Sequence, residues 1–179
     1  MPLSPAQLAT LKTNILANTG VFASGPFAGQ TVAQVAVTNP RPSEANIQIA
    51  AWYNATAAPA FVLWRKAVTL SDVGDAIVAT ELAGLTSLNV QRLQVIAQYT
   101  VGQFDFTKSD RRAAFDDIFS GAGGAGTRAT LLALWKRNAT AFEKVFAVGT
   151  GTDLSPAVSA FADGATVSSQ DVDSALNLP

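Results

Sequence analysis

Apolar side chains recur every three or four residues along several stretches of this 179-residue chain, a spacing that places them on one face of an α-helix. The first such stretch opens at Ser4-Pro5-Ala6-Gln7, where a hydroxyl at the N-cap, a proline at N1 and a glutamine at N3 make a capping box. A helix is predicted from there to about Asn18, with Leu8, Leu11, Ile15 and Leu16 inward and Gly20 placed to end it. Val21 to Gln30, containing Gly25-Pro26 and Gly29, reads as a loop. Residues 31–37 fit two patterns, because Val32, Val35 and Ala36 suit a short helix while the β-branched content suits a strand; helix is preferred. Asn39-Pro40-Arg41-Pro42 is a stop, and Ser43 then caps a helix to about Asn54. Ala45, Ile49, Trp52 and Tyr53 share its inner face, and Glu44 complements the dipole of its first turn.

The best strand candidate is Pro59 to Trp64, although an apolar run this short does not separate from a buried helix by periodicity. Ser71-Asp72 starts a short helix through Val78, and a longer one runs from Leu85 to Val101 with Leu85, Leu88, Leu93, Ile96 and Tyr99 inward. Phe104 to Thr107 connects to a helix opened by Ser109, with Ala114, Phe115, Ile118 and Phe119 inward. The clearest periodicity lies between Thr127 and about Val148, where Leu131, Leu134, Trp135, Phe142, Val145 and Phe146 form one stripe; it predicts the longest helix. Beyond Gly149-Thr150-Gly151-Thr152 the pattern fades, leaving Leu154 to Val167 as an irregular arm and Ser168 to Leu176 as a last short helix. The expected fold is mainly α, a single-domain helical bundle over residues 1–148 with an extended C-terminal arm over residues 149–179.

Charge and composition narrow the function. Only 14% of residues are charged, which for a folded chain implies either an apolar exposed surface or a surface covered by other subunits; the second is preferred. Residues 1–64, 65–144 and 145–179 carry +1, +2 and −4. No stretch has the dense Lys/Arg stripe of a phosphate-gripping protein, so direct nucleic-acid binding is not expected. Cysteine and histidine are both absent, which excludes disulfides, thiolate or imidazole metal sites, and catalysis that depends on either group. No charged leader precedes an apolar run, and the uncharged span from Thr13 to Pro40 is broken by Asn14, Gly20, Pro26 and Gln30. Neither a signal peptide nor a membrane helix is expected.

One stretch invites a chemical reading. Gly121-Ala122-Gly123-Gly124-Ala125-Gly126 fits the G-x-G-x-x-G spacing of dinucleotide folds, and also half of a P-loop, but Thr127-Arg128 stands where that motif needs Lys followed by Ser or Thr. The segment before it, Arg111 to Phe119, has helical rather than strand spacing, so a small-residue turn between two helices is the preferred reading. Asp116 and Asp117 are adjacent and point about 100° apart on a helix. A hard-cation site from Asp105, Asp110, Asp116 and Asp117 is correspondingly disfavoured. There is no S-x-x-K and no G-x-S-x-G. Trp52, Trp64 and Trp135 are read as core, and neither an enzymatic activity nor a cofactor is expected.

Several stretches taken in order carry a resemblance: Ala51-Trp52-Tyr53-Asn54, Pro59 to Arg65, Phe115 to Gly124, Thr127-Arg128, Ala133 to Arg137 and Gly149 to Thr152. Together they resemble head-to-tail connector, adaptor or neck proteins of tailed bacteriophages and prophages, from Trp52 onward. The resemblance implies a structural protein of the virion neck: a helical protomer in a ring, a dodecamer, beneath the portal protein. DNA would pass through its channel without sequence-specific binding, and the other rim would meet a tail terminator or another tail component. It also implies a docking arm, for which Leu154, Pro156, Val158, Phe161, Val167, Val172 and Leu176 are the candidate residues. Candidate subunit contacts are Arg65, Arg111, Arg112, Arg128, Lys136 and Arg137.

Overall fold

The computed structural model describes residues 3–99 and 102–179, with the backbone alone at Tyr99. The end of the helix expected to reach Val101 and the inward Tyr99 side chain lie outside the described residues. Helix accounts for about half of what is described, and the four strands are only two or three residues long, so the fold is mainly α. It is not one bundle. The chain forms two compact units, each built from separate stretches of sequence.

Unit one comprises Met1–Ala60, Ala139–Ala147 and Gly164–Pro179. It holds α1 (Pro5–Leu16), α2 (Val32–Ala36), α3 (Ser43–Asn54), α9 (Ala141–Val145) and α10 (Ser169–Leu176). Ser4 with Gln7, Thr31 with Gln34, Thr140 with Glu143 and Ser168 with Asp171 all form reciprocal capping boxes. Each satisfies two backbone donors that a helix start otherwise leaves open. The Thr31 box resolves residues 31–37 as helix. Leu11, Ile15, Val35, Ile49, Phe142 and Val172 are in the core, where α10 packs on α1 and α3. Leu16, expected inside, is exposed. Tyr53 is buried with its hydroxyl satisfied, donating to Asn14 Oδ1 at 2.7 Å and accepting from Asn18 Nδ2 at 3.1 Å.

Unit two comprises Phe61–Asn138 and Val148–Asp163. Along the chain it contains β1 (Val62–Trp64), β2 (Val68–Thr69), α4 (Leu70–Ala76), α5 (Ala79–Ala83) and α6 (Ser87–Tyr99). Then come β3 (Gln103–Phe104), α7 (Ser109–Ile118), a 3-10 turn at Ala122–Gly124, α8 (Ala125–Leu134) and β4 (Lys136–Asn138). Residues 62–64 are thus a strand, paired antiparallel with β4 so that Leu63 faces Arg137. The other edge of β1 is taken by the C-terminal segment: Val62 N donates to Gly151 O at 2.7 Å and Trp64 N to Ala157 O at 3.0 Å. The core is aromatic, with Phe104, Phe106, Phe115, Phe119 and Trp135 buried together with Val68, Val73, Ile118 and Leu131. Phe106 and Trp135 stack with centroids 4.7 Å apart.

Two expectations are corrected. The long helix from Thr127 to Val148 ends at Leu134, because residues 136–138 enter the ladder with β1 and Thr140 opens a new helix. Trp135 and Phe142 sit seven residues apart and prolong the apparent stripe, yet they are buried in different units. Nor do residues 149–179 form an extended arm on a single domain. Residues 148–163 belong to unit two and 164–179 to unit one, since β1 needs a partner for its open edge and α10 has an apolar face to bury.

Candidate functional site

The glycine stretch joins α7 to α8. Gly121 takes a left-handed φ of +79° that lets the chain leave α7, and Gly124 is buried against the preceding turn. A Cβ at Gly124 would stand 2.0 Å from the Phe119 carbonyl oxygen, whereas one at Gly123 would meet nothing within 4 Å. The start of α8 does hold an anion, but it is the chain's own. Glu81 of α5 accepts from Gly126 N at 2.9 Å on one carboxylate oxygen and from Thr127 N at 2.7 Å on the other. The Thr127 hydroxyl accepts from Val78 N at 3.0 Å, tying the same two segments again. A phosphate would have to displace this carboxylate, and the element preceding the glycines is the helix α7.

Hydrogen bonding to Thr127, through its side chain and then its amide, holds Glu81 below the usual carboxylate pKa. A carboxylate with a lowered folded-state pKa stabilises above its unfolded pKa, and that stabilisation is lost as pH falls through the folded value. Glu81→Gln is therefore expected to lower the melting temperature at pH 7. Its deficit relative to wild type should shrink as the pH is brought below about 4, which thermal melts across that range would show; a constant deficit would count against the account.

Beside the glycines lies a cleft of about 580 Å³ lined by Trp64, Arg112, Asp116, Arg128, Leu132 and Trp135, among others. The Arg112 guanidinium lies 4.0 Å above the Trp64 ring, a cation–π contact, and its Nη1 donates to the Phe106 carbonyl. Arg128 donates through Nη1 to the carbonyls of Phe119 and of Gly121, the latter at 2.8 Å. It thereby closes the C-terminus of α7, where a cation complements the dipole. Both guanidiniums are held in place by one nitrogen each and keep further N–H groups. Burial raises the Asp116 pKa and Asp117 adds to the effect, against the pull of Arg128 and Arg112. Trp135 is buried, and its indole N–H has no partner among the described residues.

Three of the other arginine and lysine candidates are also engaged within unit two. Arg65 Nη1 donates to Leu134 O at 3.3 Å, Lys136 pairs with Asp153 at 3.1 Å, and Arg137 pairs with Asp163 at 3.2 Å. Arg111 is exposed. Asp163 does more than pair: its second oxygen accepts from Lys66 N at 2.8 Å and Ala67 N at 3.0 Å. Among the candidates on the C-terminal segment, Pro156, Phe161, Val167 and Val172 are buried and Leu176 is half-buried. Leu154, 96% exposed, and Val158 remain at the surface.

Among the described residues no three acidic side chains gather closely enough to hold a metal ion. Asp105 instead accepts from the Thr107 amide and hydroxyl at 3.0 and 2.6 Å. No described helix is long and apolar enough to cross a membrane. Glu81 is the residue that sequence reasoning missed, because its partners lie 45 and 46 residues away and nothing local marks a carboxylate that will cap a distant helix. Compared with protein-family models, with curated proteins and with solved structures, the chain matches none of them.

Proposed function

We propose that this chain is a structural virion protein, a head-to-tail connector or adaptor that forms a ring between portal and tail and lets DNA through. One observation carries the reading beyond the resemblance itself. The stretches on which the resemblance rests are far apart in sequence, yet most of them hold one another in unit two. Val62 N bonds Gly151 O, β1 pairs with β4, Arg65 N donates to Trp135 O at 2.8 Å, and Arg128 closes the Phe119–Gly121 turn. Motifs that form one packing unit support a shared architecture better than motifs scattered over a surface do. Sparse charge suits subunits that cover one another, and the absence of a basic stripe suits a conduit that must not grip DNA.

On this reading the C-terminal segment docks partners through the parts that packing leaves outside, the arginines and lysine of unit two contribute to subunit contacts, and no enzymatic step is involved. The mainly helical fold speaks against a tail-tube component, for which a β-rich chain is expected. Glu81 on the α8 amides speaks against a nucleotide enzyme. The test is co-expression with the portal protein of the same genome, followed by sedimentation and electron microscopy. A ring bound beneath the portal is the expected result; a chain that stays monomeric and never associates with portal overturns the proposal.

A further inference from the structure

The segment from Val148 to Val158 in unit two is a hairpin with an exposed tip. Val148 and Val158 exchange both backbone hydrogen bonds at 2.9 Å, and Thr152 and Ser155 do the same at 3.2 Å. The Thr152 hydroxyl accepts from Ser155 N at 3.0 Å, and the Thr150 hydroxyl donates to Ser155 O at 2.9 Å. The turn is therefore well held, and what it presents is Asp153, with its side chain 77% exposed, and Leu154, 96% exposed. An ordered turn that projects a bare leucine beside an acid has the character of a knob rather than of a solvated loop.

Its complement is the arginine cleft of the same unit. Arg112 and Arg128 line one concavity, neither forms an ion pair among the described residues, and Asp116 is the only carboxylate among the lining residues. Next to these cations the wall is apolar, made by Trp64, Ala129 and Leu132, the last 41% exposed. A convex surface carrying an acid and a leucine thus matches a concave one carrying bases and an apolar wall. The exposure of Leu154 shows that the knob does not occupy the cleft of its own copy.

We propose that the Asp153–Leu154 tip of one copy seats in the Trp64–Arg112–Arg128 cleft of a second copy, the carboxylate meeting the guanidiniums and the leucine the apolar wall. Arginine suits this task because its planar fork accepts a carboxylate on two donors. The Lys136–Asp153 pair does not compete, since a pair whose carboxylate lies mostly in solvent is weak and leaves the second carboxylate oxygen available. Knob and cleft are different surfaces, so the contact is heterologous: every open assembly keeps one free knob at one end and one free cleft at the other, and association continues until a ring closes. Ring closure rests on the connector reading; the contact itself does not.

The test uses two variants of the full chain. Asp153→Lys with Leu154→Ser removes the knob, and Ala129→Glu, at an exposed position of α8, fills the cleft with a carboxylate; unchanged melting would show both folded. In sedimentation velocity the wild type is expected to associate with rising concentration, and each variant to weaken association by about 100-fold. An equimolar mixture of the two should form a heterodimer and stop there, because one live knob and one live cleft remain. Association of either variant like the wild type, or failure of the mixture to pair, overturns the inference, as does a wild type that stays monomeric at about 1 mM. A knob-less variant that still forms a normal ring on portal sinks the inference and leaves the connector reading standing. Absence of portal binding by the wild type sinks the connector reading, whatever the mixture does.

Discussion

Gly124→Val is expected to unfold unit two at temperatures where the wild-type chain is fully folded, with a stability loss of about 3 kcal/mol or more. The added Cβ would lie 2.0 Å from the Phe119 oxygen, 2.6 Å from its carbonyl carbon and 2.8 Å from its Cα. All three atoms are backbone, so no side-chain rotation relieves the overlap; the Phe119–Gly121 turn must move. That turn carries the carbonyls that Arg128 holds and the Phe119 ring of the aromatic core. The damage should therefore spread from the joint to the cleft. Gly123→Ala is the control, because its Cβ meets nothing within 4 Å and its φ is not left-handed. It should be neutral or stabilise by about 0.5 kcal/mol through the unfolded chain. Chemical denaturation of both variants checks the pair, and similar losses would show that the run matters for its mobility rather than for close approach at one residue.

Asp163→Ala should cost about 2–4 kcal/mol, the range for leaving two part-buried amides without an acceptor and breaking a part-buried ion pair. The Asp163 side chain is 15% exposed, and it receives Lys66 N, Ala67 N and Arg137 Nη2 together. It fastens the end of the C-terminal stretch of unit two to the link between β1 and β2, which the ladder alone secures through short strands. Asp163→Asn keeps a carbonyl acceptor for the amides and should recover part of the loss. Equal losses in Ala and Asn, measured by urea unfolding, would assign the whole effect to the charge pair. Lys136–Asp153 offers the contrast: with the carboxylate side chain 77% exposed, Asp153→Ala should change stability by less than about 1 kcal/mol.

Much of the helical framework was legible from local chemistry. Ser4 with Gln7 and Ser168 with Asp171 start helices at the residues their side chains indicate, because a cap is satisfied within four residues and no distant partner intervenes. The helix over Ser109–Ile118, with Phe115 and Ile118 inward, follows from spacing alone. The same kind of signal failed between Thr127 and Val148. Thr140 and Glu143 are a readable capping box, but the apolar stripe runs on through them, and periodicity cannot tell one helix from two that happen to stay in phase. Nothing local shows that Lys136 to Asn138 will give their backbone to a strand partner more than seventy residues earlier.

The candidate site divides along the same line. Glycines at 121, 123, 124 and 126 advertise a tight joint, and the helical spacing before them already argues against a phosphate loop. Which glycine is indispensable, which carboxylate occupies the α8 amides, and which arginines share a cleft with Trp64 depend on residues up to 64 positions apart. The mainly α class, the capped helix starts and the absence of thiol and imidazole groups follow from local chemistry, because all are properties of single residues or of neighbours along the chain. The two units, the packing of the C-terminal segment along β1 and the pairing of acids with distant amides emerge only when the chain packs. Those outcomes follow from burying apolar faces and satisfying backbone groups, and such demands are met by whatever the fold brings close, however remote in sequence.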